Sequence, residues 1–94
     1  MTIAKIIHSQ IKTLDFWAFA AWGAKSLVAM NDGLQFKTSG MVRWKGQVYV
    51  KYDEGQDLYN VEFFRIRAAK VIVDKVVEGV FVEDLVSTIN EQVG

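Results

Sequence analysis

Cysteine and proline are both absent from the 94 residues, and histidine occurs once, as His8. Without cysteine there is no disulfide, no thiolate zinc site, no iron–sulfur cluster and no cysteine nucleophile. The composition fits a reducing compartment. One histidine cannot build a His-rich metal site, and no Ser-His-Asp triad is expected around it. Long apolar runs are missing too. Lys5, His8 and Gln10 interrupt the N-terminal stretch, which therefore lacks the continuous apolar region of a signal peptide. The most apolar window, Phe16 to Met30, is too short to span a bilayer and contains Lys25. A soluble chain with no membrane partner is the expectation. Gly33, Gly40 and Gly46 are too widely spaced for a dinucleotide or phosphate loop, and Gly23-Ala24-Lys25-Ser26 lacks the upstream glycine of a P-loop. No cofactor and no enzymatic activity are expected. The missing proline leaves the turns to Gly, Asn and Asp.

What is present favours a folded domain. Apolar residues make up 51% of the chain and charged residues 23%, so neither mark of disorder applies. The length suits one domain, residues 1–94, which buries roughly 60–65% of its unfolded surface without staples. The net charge is zero but unevenly spread. Residues 1–51 carry seven Lys/Arg against two Asp, and residues 52–94 carry four Lys/Arg against nine Asp/Glu. The simplest outcome is two halves that fold against each other and neutralise. The alternative is a two-faced surface or head-to-tail association of copies.

Residues 3–14 have helical spacing: Ile3, Ile7, Ile11 and Leu14 form a stripe with Ile6 beside it, and Thr2 is a candidate N-cap. Residues 15–30 read as a helix or as strands, and two short strands near 16–22 and 26–30 are preferred because Gly23 interrupts the run. Asn31-Asp32-Gly33 marks a tight turn before a half-buried strand at Leu34–Lys37, which Thr38-Ser39-Gly40 ends. Val48, Val50 and Tyr52, then Tyr59, Val61 and Phe63, alternate around the loop Asp53–Asp57. This is the clearest hairpin in the chain and the expected centre of the sheet. Phe64 after Phe63 points to a bulge or to a strand covered on both faces. Val71, Val73, Val76 and Val77 form one more strand, ended by Glu78-Gly79. From Phe81 the spacing turns helical through Leu85 and Ile89. The fold class is α+β: an antiparallel sheet of about five to six strands with N- and C-terminal helices packed on one face.

Few residues suggest chemistry. Asp53, Glu54 and Asp57 offer three carboxylates in one loop, but without the spacing of a calcium loop they read as solvated. His8 has no placed partner for acid–base work. Arg43, Trp44 and Lys45, with Arg65 and Arg67 after the second hairpin strand, form the one basic and aromatic set. Together with Tyr49 it would suit stacking and phosphate contacts to a single-stranded nucleic acid.

Several segments resemble, in order, a group of short proteins of tailed phages and of prophage-like or mobile regions of bacterial genomes. They are Gly23-Ala24-Lys25, Asn31–Lys37, Asp57–Phe63 with Arg65-Ile66-Arg67, and Glu78–Phe81 with Leu85. The group has no established activity, so the resemblance transfers no functional residue. It implies a cytoplasmic, phage-linked context and a small accessory or interaction protein, whose expected partner is another protein or, because two helices cover only one face of the sheet, a second copy in a homodimer. The alternative is a nucleic-acid-binding accessory protein. Twelve aromatic residues in a small domain favour contact, because they are hard to bury completely.

Overall fold

In the computed structural model, which describes residues 2–94, the Thr2 hydroxyl accepts the Lys5 amide at 3.3 Å and caps helix α1, Ile3–Leu14. Ala4, Ile7 and Ile11 form its buried stripe, while Leu14, the last helical residue, is exposed.

The strand expected at 16–22 is not there. Ala18–Ala21 forms a single helical turn, α2, entered through the Asp15 carboxylate, which accepts the Trp17 amide at 3.0 Å. Three of its four residues are alanine, the strongest helix former, and none is β-branched. That local preference outweighs the aromatic pattern. Gly23 then turns the chain at φ +59° against Ser39, whose carbonyl oxygen would lie 2.1 Å from any Cβ placed there.

Five strands follow: β1 Lys25–Met30, β2 Gly33–Lys37, β3 Gln47–Asp53, β4 Leu58–Arg67 and β5 Lys70–Val80. They form one antiparallel meander in chain order. The register across the centre sets Val50 between Leu34 and Val61, and Val48 between Phe36 and Phe63. These six side chains are buried, as alternation requires. Phe64 continues the alternation and lies on the opposite face. The bulge sits across the ladder instead: Phe63 pairs with Lys75 and Phe64 with Val73, so Asp74 is the extra residue. Gly79 does not end β5. It is a second irregularity at φ +67°, with its amide held by the Asn60 side chain at 3.0 Å, and the strand continues to Val80.

A 3-10 turn, Val82–Asp84, leads into α3, Leu85–Val93. Phe81, expected to open the helical stripe, is extended and exposed, and the buried stripe is Leu85, Ile89 and Val93. Helix α1 packs on β1 and β2, while α3 reaches β5 and touches α1. Trp22 is buried between them, stacked on Phe36 at 5.8 Å, with its indole N–H donated to Asn90 of α3 at 2.6 Å. The Tyr59 hydroxyl donates to Gln10 of α1 at 2.5 Å. Both helices and the 18–22 segment therefore share one face of the sheet. Among the described residues no element covers the other face, and no helix is long and apolar enough to cross a membrane.

Candidate functional site

An antiparallel meander brings the start of each odd strand to the same end as the finish of each even one. At one end this gathers Lys25, Lys37, Lys45, Arg65, Arg67 and Lys70. At the other it gathers Asp32, Asp53, Glu54, Asp57 and Glu78. Each end draws on both halves of the sequence, and Lys51 of the first half pairs with Glu62 of the second. The separation of charge is between the ends of the sheet, not between the halves of the chain.

The basic end has a groove of about 390 Å³ lined by Lys37, Lys45, Gly46, Gln47, Arg65, Ile66 and Arg67. Three of the five residues expected from the sequence thus meet in one place. The other two are used by the fold. The Arg43 guanidinium donates to the Glu91 carbonyl oxygen at 2.5 Å, at the C-terminal turn of α3, where the helix dipole favours a cation. The Trp44 amide donates to the Val93 carbonyl at 3.1 Å, and its ring packs edge-on against Phe63. Its indole N–H donates to Asp74 at 2.9 Å, so this ring is a wall of the core rather than an open platform. Thr38, a buried polar side chain, accepts the Gly46 amide at 3.0 Å and fixes the loop between β2 and β3.

Arg65 and Asp74 form an ion pair at 2.6 Å. The Arg65 hydrogen bond, aided by Trp44, holds the Asp74 carboxyl below its ordinary value. The remaining ion pair among the described residues is Lys51–Glu62 at 2.7 Å. Lys25, Lys37, Lys45, Arg67 and Lys70 therefore have no carboxylate within 4.0 Å. Lys25 stands opposite Lys37 across β1 and β2, and Arg67 opposite Lys70 across β4 and β5. Like charges in such positions are destabilising.

Elsewhere the candidates have structural partners. His8 stacks on Phe19 with ring centres 4.8 Å apart. Asp53 accepts the Gln56 amide at 3.3 Å, and Asp57 accepts the Tyr52 hydroxyl at 2.5 Å. No group of three potential metal ligands occurs among the described residues. Tyr49 lies on the uncovered face and donates to Asp32, and its hydroxyl is pushed up to about 12 by burial and by that hydrogen bond.

The uncovered face carries a second feature. Ile66, Val71, Val73 and Val76 are 58%, 63%, 54% and 47% exposed. Ile66 pairs with Val71, Phe64 with Val73 and Glu62 with Val76, so the four share one face along the edge hairpin. The sequence shows β5 as a strand but not as an edge, because strand order is a long-range property. Lys25, Lys37, Gln47 and Lys70 were missed for the same reason: their proximity follows from the meander, not from spacing. No family model, curated protein or solved structure matches the chain.

Proposed function

We propose that this is a non-enzymatic interaction protein, an accessory of the phage or mobile-element type its sequence resembles, acting by contact through the uncovered sheet face and the β5 edge. A second copy is the partner. A cysteine-free chain suits the reducing cytoplasm, the location this reading assigns.

The carrying observation is the exposed stripe Ile66, Val71, Val73 and Val76 along the β4–β5 hairpin, whose outer strand has one free edge. Six of the eleven β5 residues are Val or Ile, and natural sheets normally blunt so apolar an edge. Charge favours a second copy running antiparallel, because each basic end then lies beside the other's acidic end. The bulge favours one register. With Asp74 as the extra residue, Val73 and Val76 share the uncovered face and Ile72 and Val77 share the other. A two-fold axis between Asp74 and Lys75 sets Val73 against Val76 of the second copy, Ile72 against Val77, and Asp74 against Lys75.

Sedimentation from micromolar to about millimolar concentration tests the reading, a range that reaches contacts of ~4 kcal/mol. The wild type should pass from monomer to dimer. Val73→Lys with Val76→Lys, which sets like charges opposite each other in that register, should remain monomeric with an unchanged circular dichroism spectrum. A wild-type monomer throughout, or dimers indifferent to both lysines, would refute it.

A further inference from the structure

We propose that the basic end of the sheet binds the phosphodiester backbone of a nucleic-acid strand, with Lys37, Lys45, Arg67 and Lys70 as the phosphate contacts. The site adjoins the self-association surface and shares Ile66 with it, but none of its phosphate contacts is a residue changed to test that surface.

Three observations carry the assignment. First, the cations converge around a single acid. Asp74 is committed to Arg65 and Trp44, and the other five cations have no carboxylate within 4.0 Å. Secondly, two like-charged pairs stand directly opposite each other. They oppose folding, and nothing in the core needs a cation there, since both pairs are exposed. Negative charge from a ligand relieves both. Thirdly, the cations are spread along a line. From Lys25 on β1 to Lys70 on β5 is four interstrand spacings, about 19 Å. A single phosphate cannot engage such a row, whereas a chain of phosphates can. The groove between Lys37 and Arg67 adds the Gln47 amide for polar contacts and the exposed Ile66 side chain for a base to rest on.

Zero net charge does not weaken the argument. Asp57 and Arg67 flank β4 ten residues apart, a separation of about 30 Å for extended chain. The screening length at physiological salt is about 8 Å. The acidic end is therefore invisible to a ligand at the basic end, and at low salt it orients the approach instead.

Fluorescence anisotropy with a labelled single-stranded oligonucleotide reads the site, with a duplex of equal length and heparin as parallel probes. Four phosphate contacts give a slope of about −3 in log K against log salt for a single strand. Lys37→Glu, Lys45→Glu and Arg67→Glu together should weaken binding at least tenfold and flatten the slope to about −1. Lys5→Glu with Lys12→Glu, on α1, should change little. A duplex bound more tightly than the single strand keeps the phosphodiester contacts and assigns them to a paired strand. A stability readout distinguishes a binding site from a misfolded variant. Lys37→Glu places opposite charges across β1 and β2, so its melting temperature should rise while its affinity falls. No binding at low salt, heparin binding without oligonucleotide binding, or affinity unmoved by the three reversals would each overturn the proposal.

Discussion

Replacing Ala68-Ala69 by Asn-Gly should stabilise the protein. The two alanines form the whole turn between β4 and β5, since Arg67 pairs with Lys70. Both lie in the left-handed region, at φ +48° and +65°. A two-residue hairpin turn needs this conformation so that its twist matches the strands, and Asn-Gly is the pair that supplies it readily. An L residue other than Gly or Asn pays roughly 1–2 kcal/mol at such a position. Glycine returns about 0.5–1 kcal/mol through the extra freedom of its unfolded chain. With two such positions relieved, the double change should therefore gain about 1–3 kcal/mol. No hydrogen bond or core contact involves either alanine side chain, so no compensating loss is expected. Urea unfolding measures it directly: the midpoint should rise with an unchanged slope. On heating, each kcal/mol should add roughly 4–8 °C in a domain of this size. An unchanged or lower midpoint would show that the turn carries no left-handed strain.

Val61 is fully buried at the sheet centre, and Val61→Asp should cost at least about 3 kcal/mol by leaving a carboxylate without a partner; a melting temperature within a few degrees of wild type would contradict the strand register. Gly33→Ala would place a Cβ 1.9 Å from the Val50 carbonyl oxygen and should cost about 2 kcal/mol, whereas Gly55→Ala, with its nearest atom at 3.5 Å, should stay within about 0.5 kcal/mol. The Tyr49 hydroxyl is raised from 10.0 to about 12 in the folded state. Its contribution is complete below the unfolded value and is lost as pH rises from 10 towards 12. Tyr49→Phe, which lacks both the hydrogen bond to Asp32 and the titrating proton, should be less stable below pH 10 and should lose less stability between pH 10 and 12, as urea unfolding at a series of pH values would show.

Alternation and helical spacing made the central hairpin and the two terminal helices legible, because Val48, Val50, Val61 and Phe63 answer to one physical demand, burial on one face. The segment 16–22 was misread because aromatic residues suit strands while Ala18, Ala20 and Ala21 suit a helical turn, and the backbone followed the alanines. The turns inverted expectation. The Asn31-Asp32-Gly33 signal marks a real hairpin, yet Gly33 is needed for its close approach to Val50 rather than for a positive φ. Some positive angles fall where turn residues stand, at Gly23, Gly40, Asp57 and Gly79, but two fall on Ala68 and Ala69, which carry no turn signature. The basic site was half legible. Arg65 and Arg67 stand in one strand and share a face, so spacing identifies them. Lys37 and Lys70 join them only through pairing order. Trp44 was drawn inward because Phe63 and Asp74 together offer its ring an apolar edge and its N–H an acceptor.

The separation of charge follows from the same pairing order, and it bears on both proposed surfaces at once. Cations placed at the starts of odd-numbered strands and at the ends of even-numbered ones are distant in sequence yet meet in a meander. A two-fold pair joined along β5 would place the basic ends at opposite extremes of a continuous sheet. The two nucleic-acid sites of such a pair would not merge, and each would lie beside the acidic end of the other copy. Self-association should therefore lower affinity per site by adding nearby carboxylates, and nucleic acid should in turn favour the monomer. Reciprocity of linked equilibria requires the two effects to be equal in size. Sedimentation with saturating oligonucleotide should accordingly show less dimer than without it. An oligonucleotide that increases the dimer fraction would mean that the copies associate with their basic ends together, not along antiparallel β5 edges.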